Sequence, residues 1–170
     1  MIVTERLDLV PATPAVLRAA LDSDAALVDA LGAVLPASWP PEFYDAETLR
    51  HTLTVTEAAT EAGWGSYVFV RRADRLLVGF GGYYGPPGED GSVALGYSVV
   101  EGEQGKGYAT EAAGGLVERA FDDARVQRVM GDTLPDRGPS IRVLEKLGFE
   151  LVGPPDAEGV LHYVRQRDAR

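Results

Sequence analysis

Between residues 92 and 124 the spacing of apolar side chains changes from every second residue to every third or fourth, and the change falls across two glycines. Val93, Leu95, Tyr97 and Val99 alternate with smaller or polar residues, which predicts a strand over 92–100. From Tyr108 onward Ala109, Ala112, Ala113, Leu116, Val117, Ala120, Phe121 and Ala124 form one stripe, which predicts an amphipathic helix. Gln104-Gly105-Lys106-Gly107 joins the two. A strand followed through a tight loop by a helix requires a sheet with that helix packed on it. It also leaves the first helical N–H groups without acceptors, at the positive end of the helix dipole. An anion placed there gains roughly 0.3–2 kcal/mol before its hydrogen bonds are counted, and glycine lets the backbone approach it closely. The spacing is neither that of a nucleoside-triphosphate loop nor Gly-x-Gly-x-x-Gly.

The remaining elements follow from the same periodicities. Residues 5–13 predict a first strand ending at Pro11, and 14–31 one or two short helices stopped by Gly32. A proline- and aromatic-rich loop covers 33–44, and Asp45 caps a helix carrying Leu49 and Leu53 and ending at Gly63. Strands over 66–72 and 76–84 form a hairpin about Ala73-Asp74-Arg75, and the turn-rich 85–91 precedes the strand at 92–100. A strand over 128–134, a helix from Gly138 ending at Gly148, and strands over 149–152 and 160–166 complete an α/β chain. With 170 residues and no linker or repeat, one domain over 1–170 is expected.

Composition removes several chemistries. There is no cysteine, so disulfides, thiolate zinc sites and acyl-cysteine intermediates are excluded. His51 and His162 are the only histidines and lie far apart, so no metal site is expected. Sixteen Lys and Arg against 26 Asp and Glu give a net charge of −10 without a basic block, which argues against nucleic acid and weakly favours cationic substrates. No leader pattern or long apolar run is visible, so a cytoplasmic protein without membrane attachment is expected, as monomer or homodimer.

Gln104-Gly105-Lys106-Gly107-Tyr108-Ala109-Thr110 resembles the Gln/Arg-x-x-Gly-x-Gly/Ala pyrophosphate loop of the GNAT superfamily of N-acetyltransferases. Ser140-Ile141-Arg142-Val143-Leu144-Glu145-Lys146-Leu147-Gly148-Phe149 is similar to that family's second block. Thr4-Glu5-Arg6-Leu7 resembles the start of its branch of ribosomal-protein N-terminal acetyltransferases. The resemblance implies a mixed, mostly antiparallel central sheet of about seven strands flanked by helices. It implies a splay between the fourth and fifth strands, 92–100 and 128–134, where the pantetheine arm of acetyl-coenzyme A enters.

What the resemblance implies for single residues is equally specific. Ser98, Val99 and Val100 would offer strand backbone to the cofactor, and the amides of Gln104, Gly105, Lys106, Gly107, Tyr108 and Ala109, with the Thr110 hydroxyl, would hold its pyrophosphate. Arg137 stands where the family carries Asn and would reach a cofactor phosphate. Ser140 would hydrogen-bond the sulfur and protonate the departing thiolate. Trp39, Phe43, Tyr44, Tyr83 and Tyr84 would line the acceptor pocket.

Two departures bear on mechanism. Many relatives place Glu where this chain has Ala94, and others place a general-acid Tyr where it has Leu144. Deprotonating a lysine side chain at pH 7 costs about 4.6 kcal/mol, against about 1–1.4 kcal/mol for an α-amine. Without a strong base the α-amine is the expected acceptor, with solvent, Glu89 or Asp90 taking the proton. A coenzyme-A-binding sensor that has lost chemistry, and an acetyltransferase acting on an antibiotic amine, are the alternatives.

Overall fold

The alternation that predicts the strands also decides what lies on each side of them. The computed structural model describes residues 1–168. The order is β1 (Ile2–Val3), β2 (Leu7–Pro11), α1 (Pro14–Asp22), α2 (Asp24–Leu31), α3 (Ala46–Ala58), β3 (Ser66–Arg71), β4 (Leu76–Tyr83), β5 (Ser92–Val99), α4 (Tyr108–Asp122), β6 (Arg128–Thr133), α5 (Gly138–Lys146), β7 (Glu150–Leu151) and β8 (Leu161–Gln166). The strands form one sheet in the order β1-β2-β3-β4-β5-β6-β8-β7. Its neighbours are antiparallel except for β5 and β6, which are parallel.

One set of strand side chains, including Leu7, Leu9, Phe69, Val78, Val93, Leu95 and Val129, packs under Ala112, Leu116 and Val117 of α4 and Leu144 of α5. The opposite set, including Val68 and Val70, packs with Leu17 of α1, Leu27 of α2 and Leu49 of α3. The helices on that second face begin where a side chain can take up a free N–H. Thr13 caps α1 through Val16 N (3.3 Å), Ser23 caps α2 through Ala26 N (3.1 Å), and Asp45 caps α3 through Thr48 N (2.7 Å). On the first face neither α4, which follows Gly107, nor α5, which follows Arg137, has a side-chain cap.

Two expectations are corrected in detail. The sheet has eight strands, because Ile2–Val3 adds a short edge strand against β2, and the expected splay therefore lies between β5 and β6. Helix α3 stops at Ala58, since the residues after it turn to bring Trp64 into the core, where its indole donates to Glu61 (3.0 Å). A single 3-10 turn, Glu101–Glu103, follows β5. No helix among the described residues is long and apolar enough to cross a membrane.

Candidate active site

Strands β5 and β6 pair only from Ser92↔Arg128 to Leu95↔Gly131, although β5 runs on to Val99. Beyond Leu95 a gap opens in the middle of the sheet. Val100 N donates to Val78 O (2.9 Å) and Tyr84 N donates to Ala94 O (3.0 Å), so residues 94, 96, 98 and 100 turn their peptide groups toward β4. Tyr97 and Val99 therefore turn theirs into the gap. The Val99 carbonyl is taken by the Gln104 side chain, which donates to it at 3.0 Å, leaving the Tyr97 N–H and C=O and the Val99 N–H directed at the opening. This corrects the expected trio: Val99 faces the gap, whereas Ser98 and Val100 are committed to β4, and Tyr97 takes their place.

The gap ends at the start of α4. Gly105 and Gly107 have φ of 74° and 84°, and a Cβ at Gly105 would meet nothing within 4 Å, so the loop is open on its outer side. The carboxylates nearby are neutralised. Glu103 pairs with Arg71 (2.8 Å) and with Lys106 (3.0 Å), and Glu111 with Arg6 (2.7 Å). Arg6 also donates to the Lys106 carbonyl (3.0 Å) and lies over the Tyr108 ring at 4.4 Å. Uncapped amides and a cradle open to ligand, with paired Arg6 and Lys106 at its rim, fit a diphosphate.

Glu111 is also the clamp that fixes the N-terminal segment to this corner. Burial alone would raise its carboxyl, but hydrogen bonds from Thr4 Oγ1 (2.6 Å), Arg6 N (2.6 Å) and the Arg6 guanidinium hold it below the usual range. A carboxyl depressed on folding stabilises above its unfolded pKa, and that contribution is lost as pH falls through the folded value. Glu111→Gln is therefore expected to lower stability by about 1–3 kcal/mol at pH 7. Urea unfolding of both proteins should show the difference shrinking below about pH 4.5; a difference independent of pH would contradict the clamp.

Helix α5 brings Ser140 to the other wall. The Tyr97 hydroxyl lies 3.4 Å from the Ser140 carbonyl and 3.5 Å from Ser140 Oγ. Burial raises the Tyr97 phenol, against the opposing effect of Ser140, and keeps it protonated. Arg137 makes a two-pronged pair with Glu42 (2.6 and 2.8 Å) and lies over the Phe43 ring at 5.3 Å. It thereby bridges the corner after β6 to the 33–44 loop across the cleft.

The five expected pocket aromatics divide by parity and burial. Phe43 and Tyr84 are exposed, at 65% and 77%, and border the cleft. Tyr44 is buried between Trp39 and Phe80, with ring centroids 4.9 and 5.0 Å away, so Trp39 and Tyr44 shape the wall from behind. Tyr83 points to the α4 side, where its hydroxyl donates to the Leu116 carbonyl (2.5 Å); it is a core residue with its donor already used. Asp90 is corrected as a proton acceptor. It is held down to about 2, first by the Ser92 hydroxyl and amide and then by Arg128, and with Glu89 it sits in the turn before the paired end of β5.

The cleft has a volume of about 1610 Å³, more than a single drug-sized ligand fills and enough for two reactants. A sheet parted at its centre, with free strand peptides leading to an uncapped helix, defines an acyltransferase of the coenzyme A type. The chain belongs to the GNAT acetyltransferases: the acetyltransferase (GNAT) domain matches residues 6–150. It is 31% identical over 149 residues to the uncharacterized N-acetyltransferase YjdG of Bacillus subtilis, spanning 87% of this chain and 88% of the relative. Two solved structures share the fold. The ribosomal-protein alpha-N-acetyltransferase RimL in complex with coenzyme A gives a TM-score of 0.69 at 19% identity, covering 99% and 98% of the two chains. The aminoglycoside acetyltransferase AAC(6')-Ib in complex with coenzyme A gives 0.60 at 21%, covering 95% and 94%.

Proposed function

We propose that this chain, acting as one cytoplasmic domain, transfers an acetyl group from acetyl-coenzyme A to a primary amine, most readily the α-amino group of a peptide or protein, by direct attack. The half-unpaired β5 beside the uncapped start of α4 carries this reading. When bound, acetyl-coenzyme A supplies the acetyl group as a thioester with a thiol as leaving group. The amides of residues 105–109 and the Thr110 hydroxyl hold the diphosphate, the expected Gln104 amide being already bonded to the Glu101 carbonyl, with Arg6 and Lys106 adding positive charge nearby. The Tyr97 and Val99 peptide groups hold the arm and orient it, and a free strand N–H polarises the carbonyl. Ser140 Oγ would give its proton to the leaving sulfur and regain one through solvent from the attacking amine, while the Tyr97 phenol, 3.5 Å away, stays protonated and positions Ser140.

Ala94 supports the weakly basic acceptor, because no carboxylate stands there to strip a lysine side chain. The likeness to a ribosomal-protein alpha-N-acetyltransferase supports a protein N-terminus. The likeness to an aminoglycoside acetyltransferase and the net charge of −10 favour a small-molecule amine as the second reading. Thiol release from acetyl-coenzyme A with peptide α-amines, lysine-type amines and aminoglycosides tests the proposal. A preference of about 300-fold for α-amines at pH 7 follows from the difference in deprotonation cost. A rate rising with unit slope to pH 10 without such a preference contradicts the α-amine assignment, and coenzyme A binding without amine-dependent thiol release indicates a sensor. Ser140→Ala is expected to lower kcat about 100-fold while coenzyme A still binds, as for loss of a general acid. Unchanged kcat removes Ser140 from the mechanism.

A further inference from the structure

Ala94 leaves the acceptor's positive charge without the carboxylate that many relatives offer, yet another carboxylate stands next to it on the same side of the sheet. Ala94 is level with Met130 on β6, and Asp132 follows on that side, level with Gly96 just beyond the last β5–β6 pair. Asp132 borders the cleft with its side chain half exposed. Across the opening the Tyr84 hydroxyl lies over Gly96, where a Cβ would come within 2.5 Å of it. Tyr84 and Asp132 both line the cleft, so the two side chains border one space.

The orientation of Asp132 is fixed from β8. His162 is its register partner, with Nδ1 2.7 Å from Asp132 Oδ1. The other ring nitrogen, Nε2, lies 2.9 Å from Asp156 Oδ2. Asp156 is itself fastened, accepting from Glu158 N and Val160 N at 2.9 Å each. An imidazole held at both nitrogens cannot swing, and flanking carboxylates favour its protonated form, in which it donates to both. Asp132 Oδ2 has no hydrogen-bond partner among the described residues. Asp132, protonated His162 and Asp156 together carry one negative charge, suited to a monocation.

We propose that Asp132 receives the ammonium group of the acceptor and that His162 is the positioning residue that aims it. This rests on the acetyltransferase reading for the identity of the ligand but not for its own test. Calorimetry on the coenzyme-A-loaded protein compares a dipeptide bearing a free α-amine with its des-amino counterpart. The parent chain is expected to bind the amine about tenfold more tightly at pH 7, the scale of one hydrogen bond to a charged group. Asp132→Asn should reduce this preference to less than about twofold and His162→Gln to an intermediate value, both with coenzyme A affinity unchanged, which also reports that the variants fold. A preference that survives Asp132→Asn, or none in the parent, overturns the assignment. Discrimination by the parent without thiol release would overturn acetyl transfer and leave the ammonium site standing, whereas thiol release with discrimination intact in Asp132→Asn overturns the site alone.

Discussion

Aspartate in place of Gly107 lowers coenzyme A affinity by at least about 100-fold and leaves the fold close to its parent stability. Gly107 has φ of 84°, a region that costs most L-residues about 1–2 kcal/mol but that Asp and Asn visit more readily. A Cβ there would sit 3.3 Å from Arg6 Nη2, the movable tip of a guanidinium that a carboxylate attracts. The new carboxylate stands before the free amides of α4, where the proposed function puts the diphosphate. At about 5 Å and an effective dielectric of about 20, each phosphate charge is repelled by about 3 kcal/mol. Gly107→Asn has the same shape without the charge and should lose only about tenfold, so the pair isolates electrostatics from space. Calorimetry with coenzyme A reads both, and equal affinity for the two variants would contradict an anion site at α4.

Valine in place of Gly81 destabilises the chain by about 3 kcal/mol or more, a large part of the stability of an ordinary domain. A Cβ at Gly81 would lie 2.4 Å from the Gly96 carbonyl, 2.7 Å from Tyr97 Cα and 3.0 Å from Phe69 Cζ. Two of these neighbours are backbone, and the third belongs to a fully buried ring. Strand β5 cannot retreat, because Val93, Leu95 and Val99 anchor it under α4. The displacement falls on the residue whose peptide faces the gap, so activity should fall further than stability explains. Urea unfolding and acetyl-transfer rates on one preparation separate the two losses. An unchanged midpoint would mean that β4 and β5 are not so closely apposed.

The strand, loop and helix that build the cofactor corner were legible because each carries its own period, and glycine marks the junction between them. Peptide direction was not. Whether residues 97 and 99 or 98 and 100 face the gap depends on the parity of pairing with β4, and no side-chain pattern on β5 records it. The opposite fates of Tyr83 and Tyr84 follow from strand alternation, which the sequence itself carries. Asp132 and His162 stand 30 residues apart and meet only because β6 and β8 are neighbours, so no local spacing announces them. Arg137 shares the difficulty, since its partner Glu42 is 95 positions away. The short strand at Ile2–Val3 exists because β2 offers an edge, not because two residues can signal a strand.

The limited pairing of β5 with β6 means that the sheet is two ribbons, one from β1 to β5 and one from β6 to β8, sewn along four residue pairs. A molecule lying in the seam touches both ribbons and adds stitches where the protein has none. Loading then stiffens the whole sheet, and release requires the seam to breathe. On the proposed function, the amide protons of Tyr97 and Val99 are expected to exchange with deuterium on the same clock that sets how long the cosubstrate stays.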